Sequence, residues 1–137
     1  MTKKMEKPCN RLKDEISHIE QHLSQVGLQI KSAEKSELNA LDADLRKAKE
    51  VCESKREQAS DALKRINAFI KETKDSVITQ LEDWKTDYQI DQIEKEADKR
   101  EQQAIDSVIV AAFGCHEAEV AILDALKARK MAIEVAG

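Results

Sequence analysis

The residues of this chain best equipped for chemistry are its histidines, cysteines and a few carboxylates. Glu15-Ile-Ser-His18 is a Glu-x-x-His at helical spacing, and His22 follows four residues later on the same helix face. Carboxylate-bridged di-metal bundles carry that motif on two helices, with further glutamates from two others. One copy occurs here. With the helix turns placed as argued below, Glu15 is level with Ala59 and Glu119, and His22 with Cys52. The candidate ligands for a single Zn²⁺-like ion are therefore Glu15, His18, His22, Cys52 and Glu119. Against that chemistry, residues 15, 18 and 22 flank an apolar stripe at 16, 19 and 23, where polar side chains rim any bundle. CxxC and HExxH contexts are missing as well. The reading assigns no metal and no cofactor.

Other catalytic constellations are not visible. Cys115 and His116 are adjacent in sequence, hence about 100° apart on a helix, and cannot form a thiolate–imidazole pair by themselves. A Gly-rich phosphate loop is missing too, so the expectation is a non-enzyme. Net charge is −4 with both signs mixed throughout, which leaves no electrostatic footprint for nucleic acid. The aromatics are Phe69, Trp84, Tyr88 and Phe113, too few for a base-stacking or sugar-binding surface. Cys9, Cys52 and Cys115 are an odd number at wide spacing, read as reduced thiols in a cytoplasmic protein. The start of the chain, through Pro8, has positive charge but no apolar run, so it is not read as a secretory signal. Nor is any apolar run long enough to span a membrane.

The elements that must position these residues are long helices. Ala, Glu, Lys, Leu and Arg fill 66 of 137 positions, and Gly and Pro only four. Leu12, Ile16, Ile19, Leu23, Val26, Ile30 and Ala33 step by alternate fours and threes, a strict heptad stripe. Asn10 is the expected N-cap of this first helix, about 10–34. The stripe loses phase over Ser32–Asn39, where a tight turn is expected, with Ser36 or Asn39 as the next cap. A second stripe runs Leu41, Leu45, Ala48, Cys52, Ala59, Leu63, Ile66, Ile70, Thr73, Val77, Leu81, Trp84 and Tyr88, interrupted at Lys55 and Arg56. It predicts a helix over about 37–87. The phase jumps after Tyr88, and Asp91 with Glu94 resembles a capping box. A second turn is therefore expected at 87–91, and a third helix over about 91–135; the alternative is one unbroken helix with a stutter. Pairs such as Asp42–Arg46, Asp61–Arg65, Asp91–Lys95 and Glu96–Arg100 support these helices.

In the third helix alanine recurs every seven residues, at Ala97, Ala104, Ala111, Ala118, Ala125 and Ala132. A second small stripe, Ser107, Gly114, Ala121 and Ala128, lies three residues on. Paired small positions predict a closely approaching neighbour helix. From Lys85 to Gln103 the helix is mostly polar, whereas Ala104–Leu123 is apolar on nearly all faces and must be surrounded. A first helix turning back near residue 37 can cover only that apolar half. The expected fold is all-α, a single domain over 1–137: an antiparallel three-helix bundle with a protruding two-helix coiled-coil tip.

The stretch Trp84-Lys85, Ile93-Glu94-Lys95-Glu96-Ala97-Asp98-Lys99-Arg100-Glu101, Ala118-Glu119 and Ala128-Arg129 resembles a group of small bacterial coiled-coil proteins. They share a Trp-Lys, a Glu/Lys-rich hinge and an Ala-rich C-terminal helix. The resemblance covers about the last 55 residues. It implies a helical fold and a bacterial cytoplasm, and no activity.

Function is read from shape. Phe69, Ile70, Val77 and Ile78 present more apolar surface than the facing part of the third helix can cover, which predicts a homodimer through that arm. Trp84 and Tyr88, at i and i+4 beside the second turn, form either a plug or a recognition tip for a protein partner. The expectation is a helical interaction or scaffold protein that self-associates through coiled-coil faces. The alternatives are an amphipathic bundle coating a lipid or granule surface through the Ile105–Leu126 face, and a metal-binding bundle using His18 and His22.

Overall fold

The computed structural model describes residues 2–72 and 87–137, with side chains described for 10–71 and 90–137. Three helices make up the described chain: α1 (Thr2–Ser32), α2 (Leu38–Glu72) and α3 (Asp87–Ala136). The all-α bundle expected from the heptad stripes is the observed fold.

α1 and α2 are joined by the turn expected there. Lys35 and Ser36 donate their backbone N–H groups to the Ser32 carbonyl at 3.2 and 3.1 Å. The Ser36 hydroxyl donates to the same oxygen at 2.9 Å, so Ser36 closes α1 instead of opening α2. The first bond of α2 runs from Leu41 N–H to the Glu37 carbonyl. Lys130 of α3 adds a cation at this end of α1, donating to the carbonyls of Ala33 and Glu34 at 3.3 Å each. A lysine there satisfies carbonyls that have no partner within the helix and complements its dipole.

α3 is the shared partner, packed along both α2 and α1. It runs antiparallel to α2: Asp42 meets Lys127, Arg56 meets Phe113, and Arg65 meets Asp106. It runs parallel to α1, where His22 meets Glu119 and Ala33 meets Lys130. Continuing that register brings Thr2 level with Lys99, so the first turns of α3 extend past α1 as the protruding arm. Leu45, Ala48 and Leu123 form the buried core, with Val120 and Leu126 packed against it.

Several expectations are corrected. Asn10 caps nothing, because α1 already begins at Thr2 and continues through Pro8. The proposed turn at 87–91 is helix, and Asp91 and Glu94 lie inside α3. The antiparallel register of α2 and α3 also excludes one unbroken helix; the connection between them lies outside the described residues. On α2 the buried line continues Ala59, Ala62, with Ile66 and Phe69 half-buried, while Leu63 and Ile70 stand outside it. Strict heptad spacing selects position 62, and the larger Leu63 beside it misled the sequence reading. Arg65 bonds Asp106 across the helix pair instead of a neighbour on its own helix, whereas Asp42–Arg46 and Glu96–Arg100 pair as expected.

The largest correction concerns the small residues of α3. Ser107, Ala111, Gly114, Ala118, Ala121, Ala125, Ala128 and Ala132 are all exposed. A Cβ added at Gly114 would meet nothing within 4 Å. α1 and α2 occupy the opposite face, around Ile105, Glu119 and Leu123. Helical spacing reports that positions share a face, not which face is covered.

Candidate functional site

Where α1 and α3 run side by side, three titratable groups converge. His22 comes from α1. His116 and Glu119 come from α3, where a three-residue spacing places them on one face. His22 Nε2 lies 3.1 Å from Glu119 Oε1, and both side chains are largely shielded from water. The rings of His22 and His116 face each other with centroids 4.2 Å apart and planes inclined by 32°. One donor atom from each of the three residues lies within 4.8 Å of the others. His116 Nδ1 is closed off from solvent and has no hydrogen-bond partner. Burial pushes the proton affinity of His116 down. The His22 charge and Lys55 act in the same direction, and Glu119 opposes them.

On the outer side of His116 a cleft of about 240 Å³ opens, lined among others by Glu15, His18, Lys55 and Phe113. Lys55 occupies a heptad position of α2 that would otherwise carry a core residue. The polar interruption seen in the sequence is therefore the place where the interior opens. Phe113 is covered by the Arg56 guanidinium, 5.3 Å from the ring centroid, and Arg56 is held by Glu53 at 3.0 Å.

Of the candidate ligands, the structure brings together His22 and Glu119. Glu15 and His18 line the adjoining cleft and stand outside the cluster. Cys52 is buried and also outside it; desolvation pushes its thiol up, with Arg56 opposing. A thiol so shifted is a poor nucleophile at neutral pH. His116 was missed as a partner because the sequence reading weighed it only against Cys115. The overlooked signal is His116-Glu-Ala-Glu119, the reverse of Glu15-Ile-Ser-His18.

No protein-family model, curated protein or solved structure matches the chain. The site is therefore read from its own geometry. Two imidazoles and a carboxylate can exchange a proton or coordinate a cation.

A second polar cluster joins α2 to α3. Asp106, 1 % exposed, accepts hydrogen bonds from Arg65 and from Gln102 Nε2. Its lone pairs are well satisfied, which is the signature of a structural clamp. In the candidate interaction set, Ile70 is exposed and Phe69 is half-buried, with the Arg100 guanidinium 5.6 Å from its ring centroid. Val77, Ile78 and Trp84 lie outside the described residues, as does the side chain of Tyr88. Among the described residues, no helix is long and apolar enough to cross a membrane.

Proposed function

We propose that this protein is a non-enzymatic helical interaction protein that self-associates as a homodimer through apolar faces left uncovered by its own bundle. The observation that carries this reading is the state of the α1 heptad stripe. Val26 and Ala33 are buried, and Leu12 and Ile19 half-buried. The alternate members of the same stripe, Ile16, Leu23 and Ile30, are 46 %, 50 % and 45 % exposed. A heptad seam with one half unpartnered is what a coiled-coil helix presents before its partner arrives. Covering the exposed halves of these three side chains would contribute about 1 kcal/mol each.

Two further surfaces support the same reading. Ile70, at the base of the arm, is 59 % exposed. The exposed small residues of α3 keep coiled-coil spacing from Ser107 to Ala132, a face suited to close helix approach. Free thiols at Cys52 and Cys115 fit a reducing compartment such as the cytoplasm. Charge substitutions test the reading. Leu23→Glu with Ile30→Glu, and separately Ile70→Glu, are expected to shift sedimentation toward the monomer while helical circular dichroism persists. Dimers that survive both sets of charges would overturn the assignment of these faces.

A further inference from the structure

We propose that His22, His116 and Glu119 form a binding site for one divalent transition-metal ion of the Zn²⁺ type. Two nitrogen donors and one carboxylate oxygen suit a borderline cation, whereas Mg²⁺ and Ca²⁺ select all-oxygen sites. His22 Nε2 and Glu119 Oε1 stand 3.1 Å apart. That is close to the ~3.3 Å edge of a tetrahedron with metal–ligand bonds of about 2.0 Å. The third donor lies within 4.8 Å of both, a gap that side-chain rotation can close.

The arrangement is also hard to explain as core packing alone. Neighbouring positions on these helix faces are filled by Val26, Ala112 and Leu123, and apolar residues would seal the α1–α3 contact equally well. Instead two imidazoles face each other with Nδ1 of His116 enclosed and unpartnered. Leaving a polar nitrogen in that state is unfavourable, and coordination is one way for an imidazole nitrogen cut off from water to gain a partner. The helices hold the donors firmly. His116 and Glu119 are one turn apart on α3, and α1 is fixed beside them by the contact of Lys130 with its C-terminus. Three protein donors leave at least one coordination position open toward water, so the ion is expected to exchange and to be removed by chelators.

The test uses the full chain, stripped of metal with a chelator and titrated with Zn²⁺ against a chromophoric competitor. The expected result is one Zn²⁺ per chain. His116→Ala and His22→Ala should each weaken binding roughly tenfold or more, whereas His18→Ala leaves it unchanged. Saturable binding that survives His116→Ala, or the absence of stoichiometric binding, would overturn the proposal. Should the variants lose their fold, the unmodified protein still decides. On adding one equivalent of Zn²⁺, ring-nitrogen NMR signals of His22 and His116 should shift while those of His18 stay in place. Shifts at His18 alone, or none at all, count against the site.

Discussion

Arg65 of α2 grips the buried carboxylate of Asp106 on α3 with a forked set of hydrogen bonds. Nε stands 3.2 and 3.1 Å from the two carboxylate oxygens, and Nη2 is 2.9 Å from Oδ1. The guanidinium is half exposed while the carboxylate is almost wholly enclosed. The pair therefore fixes the register of α2 on α3 from the solvent edge inward.

This geometry predicts unequal costs. Arg65→Met leaves a buried carboxylate with Gln102 as its remaining donor, and Asp106→Leu leaves an arginine without its acceptor. Each single change should destabilise the bundle in urea, and the double variant should recover part of the loss. Additive losses would show that the pair is not coupled.

A second prediction concerns Gly27, in the middle of α1. A Cβ there would meet nothing within 4 Å, and the backbone is ordinary helix. Gly27→Ala should stabilise the protein by about 1 kcal/mol through helix propensity alone. A lower denaturation midpoint would mean that this face is covered in solution.

Lys130 provides a third. Its ammonium is placed on the Ala33 and Glu34 carbonyls just past the end of α1, so Lys130→Met should cost about 0.3–1 kcal/mol. Amide exchange should accelerate first around residues 28–36. An increase confined to the end of α3 would contradict the capping role.

The fourth is a pH effect, measured on the metal-free protein. His116 faces His22 and Glu119 on one side, and Lys55, Glu15 and His18 across the cleft. Burial first, then the His22 charge, holds its folded pKa below the ordinary 6.5. Between the two values the unfolded chain binds more protons, so stability rises with pH in that window. It should fall as the pH drops through 6.5 toward the folded value, and His116→Gln should flatten this dependence. An unchanged slope in the variant would assign the effect elsewhere.

Much of the fold was legible because heptad periodicity survives without tertiary information. The buried line Leu12, Ile19, Val26 and Ala33 on α1 and the turn after Ser32 follow from counting residues. The level of α3 does not: a turn at 87–91 set Glu119 opposite Glu15, whereas the structure sets it opposite His22. The misreadings have physical causes. After Tyr88 the apolar phase changes within the first turns of α3, and a phase change resembles a break. Asn10 has a capping side chain, which suggested a helix start there, yet α1 begins at Thr2 and runs through Pro8 at the loss of one backbone hydrogen bond. Ala62 was passed over for Leu63 because size was taken for burial. The alanine stripe was legible as a face, but its exposure depends on where α1 and α2 dock. His116 became visible only when α1 brought His22 opposite it.

Self-association is decided by the mass of the unmodified chain in solution. Light scattering at micromolar concentration should give twice the 15.5 kDa chain mass. A monomer mass throughout that range would overturn the dimer and leave Ile16, Leu23 and Ile30 without the partner assigned to them.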